Sequence, residues 1–360
     1  MDVTSSYSSE VFKYAPDILH EQLASVFRSF LVHGSITLSI LACSFMPLLK
    51  STRKNPTKFD SYRAVAGASQ LLKLFEYVIL DQWGDFLGSD SLQFGYKSGT
   101  GTDQCSWLLL SVAEHFFHRG SSTLGCLLDV SKGFARVQFS KLFRLCLLER
   151  KLPPIICRVL AFMYEEQSGF IRLRGRRSAP FKLSNGTREG GVASPSLWAV
   201  YADGLLKELR RSGLGCHVAG VWMGAFLYVD NLALLAPTRA VLAAMLEVVV
   251  SYGARFNLTF SSDPDPKRSK SFCILFAGTK LQKRIVYPAA LLLNGWRVVS
   301  TWVTPYTKIL QWMLMPRSEQ QGSYPAAWRF GVSSPSPTLY RYSRLSECSL
   351  VTPTARFCGG

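Results

Sequence analysis

Two aspartates at the ends of predicted strands are the residues of this chain best suited to chemistry. Asp230 lies between two apolar runs, Phe226–Val229 and Leu232–Leu235, and this pattern predicts a strand, a tight turn and a second strand. Asp129 comes near the end of a third predicted strand, Leu124–Val130. Two carboxylates carried to one face of a sheet would form a divalent-metal site for phosphoryl transfer, in which two Mg²⁺ ions about 3.5–4 Å apart hold the attacking and leaving oxygens.

Each of these features also has an ordinary structural explanation. Asp129 could be a strand-end or helix-capping residue, and Asp230 could belong to a type I′ turn, in which Asp and Asn are common. Between them lies the glycine-containing loop Asn185–Pro195, in which Ser194 and Pro195 begin a predicted helix. Such a loop can approach a nucleotide or a duplex closely, although a glycine loop alone is more often a turn.

The composition indicates a folded, basic protein. The 360 residues are 48% hydrophobic, and 41 Lys and Arg against 24 Asp and Glu give a net charge of +17. This excess favours a polyanionic partner, nucleic acid first and an anionic membrane surface second, although a merely basic protein is the alternative. The longest apolar stretch, 36–49, is interrupted and too short to span a bilayer. The nine cysteines contain no C-x-x-C pair, which predicts reduced, buried thiols in an intracellular protein.

Helical and strand patterns alternate along the chain. The predicted helices cover 16–32, 139–149, 155–164 and 195–211, with further apolar helix faces from Cys105 to Phe116 and from Val241 to Tyr252. The predicted strands are Leu124–Val130, a hairpin of 170–174 and 180–183 around a basic turn, Val221–Tyr228 and Leu232–Leu235 beside Asp230, and Phe272–Phe276. This order predicts an α+β fold with helices packed on one face of a sheet.

The order of the motifs resembles the reverse transcriptase of non-LTR (LINE-like) retrotransposons. The stretch 127–134, Leu-Leu-Asp-Val-Ser-Lys-Gly-Phe, looks like the first catalytic motif of that family, 188–195 like the second, and 228–231, Tyr-Val-Asp-Asn, like the third. Upstream, 61–63 and 92–97 are similar to the fingers motifs, and the basic stretch 267–270 is similar to the lysine motif that follows the third. The resemblance covers roughly residues 15–305.

The resemblance implies a right-hand polymerase fold with fingers and palm, in which an antiparallel palm sheet has helices packed on one face. On this basis 1–59 is an N-terminal extension leading into the fingers, and 60–278 is the fingers and palm. We expect 279–311 to be a partial palm-to-thumb connection, so that the thumb is largely absent. The Ser-, Pro- and Arg-rich range 312–360 is predicted to be a disordered tail.

The resemblance also implies roles for individual residues. The metal ligands would be Asp129 and Asp230, with Mg²⁺ or Mn²⁺ as the cofactor, and Lys270 would offset charge on the leaving pyrophosphate. The predicted nucleotide-binding residues are Arg63, Phe134, Arg188, Glu189 and Gly190, with Phe134 as the steric gate against a ribose 2′-hydroxyl. The predicted template and primer contacts are Gln93, Phe94, Gly95, Lys97, Ser194 and Pro195. For Phe134 a core aromatic is the alternative, and for Arg63 and Lys97 solvated surface charge.

Several positions depart from the family pattern. Asn231 stands where the third motif normally has a second acid, and an amide brings no negative charge to a metal. Ala135 replaces another Asp, and Glu189 replaces a Gln near the nucleotide, where a carboxylate would repel a triphosphate. Asp203-Gly204 replaces an Asp-Asp pair. Together these changes predict a polymerase with impaired activity.

Three hypotheses follow. The chain is an RNA-directed DNA polymerase domain that binds an RNA template, an RNA–DNA hybrid and dNTP, or it is an inactive module that still binds nucleic acid through Arg63, Lys97 and the cluster 172–177. The third is a retroelement remnant that never folds stably. The resemblance places the protein in cytoplasm and nucleus, without a membrane partner.

Overall fold

The computed structural model describes residues 10–52, 55–261, 270–276 and, for the backbone alone, 283–286. The predicted tail 312–360 and most of the predicted connection 279–311 lie outside the described residues. Within these ranges, no helix combines the length and apolarity that crossing a membrane would require.

Ten α-helices are described. They are α1 Glu10–Lys13, α2 Asp17–His33, α3 Leu38–Leu41, α4 Gln70–Trp83, α5 Thr102–His118, α6 Gly133–Arg136, α7 Phe139–Arg144, α8 Pro154–Glu165, α9 Ser194–Arg211 and α10 Arg239–Phe256.

Local capping interactions fix several helix ends. The hydroxyls of Ser69 and Thr238 accept the backbone N–H groups of Leu72 and Val241, which begins α4 and α10. A π-helical turn, Leu145–Glu149, extends α7, so the predicted helix 139–149 corresponds to two consecutive segments.

Twelve strands are described. They are β1 Cys43–Leu49, β2 Tyr62–Gly67, β3 Thr123–Asp129, β4 Ser168–Leu173, β5 Arg176–Arg177, β6 Phe181–Lys182, β7 His217–Val218, β8 Val221–Trp222, β9 Ala225–Tyr228, β10 Asn231–Ala236, β11 Phe272–Phe276 and β12 Lys283–Val286.

The first sheet contains β2, β1, β4 and β5 in that order, with β6 also paired to β4. Strand β1 is antiparallel to β2 and parallel to β4. The hairpin predicted over 170–183 belongs to this sheet, but β1 and β2 were not predicted. The pairing of β1 with β2 also joins the predicted N-terminal extension directly to the range after residue 60.

The second sheet is antiparallel throughout, with the order β12, β11, β3, β10, β9. Every residue of β9 and β10 is buried, so neighbouring elements cover both faces of these strands. Helices α5, α9 and α10 pack against this sheet. The α+β prediction is confirmed, and the sheet places the ends of β3 and β10 side by side.

A single hydrophobic core links the helices and the second sheet. Its largest fully buried side chains include Trp198, Tyr201 and Tyr252. The described cysteines are all buried and free, as predicted, and they are Cys43, Cys105, Cys126, Cys146, Cys157, Cys216 and Cys273.

Candidate active site

Asp129 and Asp230 come together at one end of the second sheet. Asp129 is the last residue of β3, and Asp230 lies in the two-residue turn that joins β9 to β10. The carbonyl of Asp230 accepts the N–H of Val130 at 2.9 Å, which ties the turn to the end of β3. Only Val229 in this turn has a positive φ, of 58°. The type I′ alternative is therefore wrong, since that turn requires positive φ at both central residues.

The charge of Asp129 acts on the buried carboxylate of Asp230. Burial, followed by the nearby charge of Asp129, raises the pKa of Asp230 to about 6. Burial also raises the pKa of Asp129, although Lys270 opposes this shift. Lys270 Nζ lies 3.6 Å from Asp129 Oδ2. Burial and the charge of Asp129 both disfavour the ionised form of Asp230, and a cation beside these two carboxylates would offset that penalty.

Asn231 occupies the third position of this group. It is the first residue of β10 and pairs directly with Asp129 across the sheet, so both side chains point to the same face. Asn231 is only 2% exposed. Among the described residues, no group of three or more His, Cys, Asp and Glu side chains could hold a metal. The three polar side chains at this end of the sheet are therefore two carboxylates, Asp129 and Asp230, and the neutral amide of Asn231.

Phe134 lies on the short helix α6, five residues after Asp129. Its ring stacks on Trp198, with centroids 5.3 Å apart and planes 21° apart, and meets the edge of Tyr96 at 6.1 Å. The side chain remains half-buried, so one part belongs to the aromatic core and another part faces outward. The role of Phe134 as a steric gate stays a prediction.

The structure places Arg188 in the protein interior. Its guanidinium forms an ion pair with Glu76 of α4, and both side chains are essentially inaccessible to solvent. The second carboxylate oxygen of Glu76 accepts the N–H groups of Val192, at 2.7 Å, and Ala193, at 3.2 Å. Arg188 was predicted to contact a nucleotide, but this geometry instead assigns it to holding the glycine loop against α4.

Glu189 and Gly190 lie next to β2. The carbonyl of Glu189 accepts the N–H of Ala66 at 2.9 Å. Gly190 has a φ of 110°, and a Cβ there would lie 2.7 Å from the carbonyl oxygen of Ala66, so only glycine fits. Loss of hydration raises the pKa of Glu189, while the charges of Arg63 and Lys50 oppose that shift. The charge of Arg63 therefore favours the ionised form of Glu189, the residue that departs from the family pattern.

The predicted template motif runs beside the turn that carries Asp230. The N–H of Phe94 donates to the carbonyl of Leu227 at 2.8 Å. Gln93 is 1% exposed, and its Oε1 accepts the N–H groups of Gly95, at 3.0 Å, and Val229, at 3.2 Å. Gln93 and Gly95 thus contact the turn that carries Asp230, and both are buried; their contact with a template stays a prediction.

Two other predicted template contacts are engaged in the fold. Lys97 Nζ donates to the carbonyl of Asp90 at 2.8 Å. Ser194 is buried, with its hydroxyl 3.3 Å from that of Tyr164. Pro195, in the first turn of α9, is half-buried. Contacts of these residues with nucleic acid stay predictions.

The departure at Asp203-Gly204 has a structural explanation. Asp203 Oδ2 accepts the N–H of Asp90 at 2.7 Å and pairs with Arg150 at 2.6 Å. A Cβ on Gly204 would lie 2.4 Å from the hydroxyl of Tyr252, so an aspartate there would displace α10 or its tyrosine. This departure is therefore compatible with an intact fold and is not in itself a sign of damage.

Sequence reasoning missed Glu76 and Trp198. Trp198 Nε1 donates to the carbonyl of Val229 at 3.0 Å while its ring supports Phe134. A buried Trp needs an acceptor for its N–H, and this need was the available signal, although the partner cannot be read from the sequence. Glu76 lies in an apolar helical run, and a buried acid there signals a buried cation elsewhere.

An antiparallel sheet that brings two aspartates together, one at a strand end and one in an adjoining turn, is an arrangement that enzymes of phosphoryl transfer can use. Residues 52–263 match the family described as reverse transcriptase (RNA-dependent DNA polymerase), and the chain belongs to this family.

Two curated relatives are similar over about two thirds of the chain. The RNA-directed DNA polymerase from mobile element jockey of Drosophila melanogaster is 25% identical over 240 residues, which are 66% of this chain and 25% of that protein. The retrovirus-related Pol polyprotein from type-1 retrotransposable element R2 of Nasonia vitripennis is 23% identical over 230 residues, 63% of this chain and 22% of that protein. The resemblance to non-LTR retrotransposon reverse transcriptases is confirmed.

The chain spans about a quarter of the length of these relatives. Among solved structures, apo telomerase from Candida tropicalis, truncated from its C-terminal domain, is similar with a TM-score of 0.48 and 10% identity. This similarity covers 79% of this chain and 60% of that chain.

Proposed function

We propose that this domain extends a DNA 3′-hydroxyl with dNTPs on an RNA template. The observation that carries the proposal is the meeting of Asp129 and Asp230 at the end of the second sheet, where Asp129 lies close enough for its charge to raise the pKa of Asp230. In this reading the first sheet belongs to the fingers and the second to the palm.

Asp129 and Asp230 would hold Mg²⁺ or Mn²⁺, which would supply charge stabilisation at the attacking and leaving oxygens. Lys270, already 3.6 Å from Asp129, would add positive charge beside the phosphates. Phe134 would limit space next to the sugar, with its ring held in place by Trp198. Arg63 would meet the triphosphate while moderating the unfavourable charge of Glu189.

Asn231 is the reason to expect slow turnover. It occupies the position directly opposite Asp129, where a carboxylate would add both charge and a metal ligand. Because a metal ion contributes several kcal/mol to transition-state stabilisation, weakening its binding would reduce the rate by about two to four orders of magnitude.

Nucleotide incorporation on a primed RNA template tests the proposal. Asp129→Ala should abolish incorporation, because it removes one of two carboxylates from the site. Asp85→Ala is the matched control, since Asp85 is an exposed aspartate in a turn after α4. Equal incorporation by the unaltered chain and Asp129→Ala would overturn the proposal.

A second candidate is a binding module with little or no turnover, and the exposed arginines of the first sheet favour it. Arg172, Arg174, Arg176 and Arg177 all project from the β4–β5 hairpin with exposed side chains. A cluster of this kind attracts phosphates whether or not a polymerase site nearby is functional. Residence in cytoplasm and nucleus, with an RNA or RNA–DNA hybrid as partner, is part of both proposals.

A further inference from the structure

Val229, the residue before Asp230, has a strained backbone. Its φ of 58° lies in the left-handed region, which a β-branched side chain rarely adopts. Such a conformation persists only when the surrounding structure holds it from several sides. The residues that hold Val229 therefore also determine where the turn places the Asp230 carboxylate.

Buried side chains hold both polar groups of Val229. Its N–H donates to Oε1 of Gln93 at 3.2 Å, and its carbonyl accepts Nε1–H of Trp198 at 3.0 Å. Gln93 and Trp198 are each 1% exposed. On a third side Gly95 packs so closely that a Cβ there would lie 2.5 Å from both the backbone nitrogen and Cγ2 of Val229.

Trp198 also contacts Phe134. The two rings stack with centroids 5.3 Å apart. Gly133 packs closely against the indole of Trp198, because a Cβ on Gly133 would lie 2.5 Å from its Cη2. One buried side chain thus touches both the turn that carries Asp230 and the aromatic ring five residues after Asp129.

We propose that Gln93 and Trp198 are positioning residues that hold the strained Val229 and so fix Asp230, and that Trp198 in addition sets sugar discrimination by supporting Phe134. The first part stands on geometry alone. The second part rests on the proposed polymerase function and on Phe134 as its gate. Gln93 accordingly acts through the turn.

Hydrogen–deuterium exchange of the full chain, read by mass spectrometry, tests the first part without requiring activity. Gln93→Met removes the acceptor at similar size, and it also removes Nε2, a buried donor that has no partner among the described residues. Trp198→Phe keeps an aromatic ring but removes the N–H. In both variants, exchange in peptides spanning Val229 and Asp230 should become about three- to tenfold faster, as expected for losing one ordinary hydrogen bond.

Trp222→Phe is the matched control. Trp222 is also buried and donates its indole N–H to a backbone carbonyl, that of Leu214, at 2.7 Å. This variant should leave exchange at Val229 and Asp230 unchanged. Equal exchange of the turn in all three variants and the unaltered protein would overturn the positioning role, and so would a uniform increase across the whole chain.

Nucleotide selectivity tests the second part in the Asn231→Asp background. Trp198→Phe should reduce the preference for dNTP over rNTP by about tenfold, because a smaller ring lets Phe134 retreat. Gln93→Met should lower kcat without changing this preference. If Phe134→Ala relaxes the preference for dNTP but Trp198→Phe leaves it unchanged, the proposed role of Trp198 is overturned. If incorporation is absent from every variant, the polymerase proposal fails, and the exchange result still decides the first part.

Discussion

At the scale of single residues, the main electrostatic feature of the site is the buried carboxylate of Asp230, which lies near that of Asp129. The pKa of Asp230 is raised to about 6 by burial and by Asp129. A carboxyl group whose folded-state pKa exceeds its unfolded value binds its proton more tightly in the folded state. Its contribution to stability is therefore complete below pH 4 and is lost as the pH rises through 6.

This relation predicts the pH dependence of stability in metal-free protein. Asp230→Asn removes the titrating group, so the variant should be more stable than the unaltered chain at pH 8, by about 3 kcal/mol. The advantage should shrink to nearly nothing at pH 4. Urea denaturation of both proteins at the two pH values, with chelator present, measures the difference. A stability difference that does not vary with pH would contradict the raised pKa of Asp230.

At the scale of secondary-structure elements, long-range contacts determine what the sequence could and could not reveal. The apolar runs of β3 and β10 were visible in the sequence, and these strands were predicted close to the observed bounds, whereas the predicted strand Val221–Tyr228 corresponds to two strands, β8 and β9. Strands β1 and β2 were missed because β1 contains Pro47 and both strands mix buried with exposed residues. The register that places Asn231 opposite Asp129 depends on packing between segments about a hundred residues apart.

The glycine loop is held by a contact of the same kind. Arg188 was recognisable as part of a motif, but its partner Glu76 lies 112 positions earlier. Nothing in either segment identifies the other, and the inward orientation of Arg188 followed only from the fold. The sequence thus revealed the motif residues, but it did not reveal which of these side chains are buried and which face solvent.

The buried ion pair provides a prediction about this loop. Glu76→Ala leaves the Arg188 guanidinium and two backbone N–H groups without their buried partner, which should reduce the free energy of unfolding by about 3–5 kcal/mol. The control is Glu166→Ala, because the pair of Glu166 with Lys182 is exposed and such pairs contribute little. Urea denaturation of both variants measures the effect. Similar stability of the two variants would show that the buried pair does not hold the loop.

At the scale of the whole molecule, the net charge of +17 and the exposed arginines point to phosphate binding. Each phosphate contact that is lost lowers the slope of log K against log salt by about 0.7–0.9. Arg172→Ala combined with Arg174→Ala should therefore reduce the slope for an RNA–DNA hybrid by about 1.5. Arg119→Ala, at the exposed end of α5, is the control. If the arginine changes at 172 and 174 and the control change at 119 lower the slope equally, the arginines contribute general positive charge and do not form a defined binding surface.

The hypothesis of an unstable remnant also belongs to this scale. The continuous core that joins α4, α5, α8, α9 and α10 to the second sheet favours one cooperative unfolding transition. A denaturation curve without a cooperative transition would support the hypothesis of an unstable remnant instead. The predictions about individual site residues would then not apply.

We propose that Asp129 and Asp230 form a polymerase site whose rate is limited by Asn231. Primer extension on poly(A)–oligo(dT) with Mg²⁺, comparing the unaltered chain with Asn231→Asp, tests it most directly. We expect Asn231→Asp to raise incorporation by about two to four orders of magnitude, and Asp129→Ala to abolish that gain. Incorporation that is equally fast with Asn or Asp at position 231, or absent from both while the hybrid is still bound, would contradict the account.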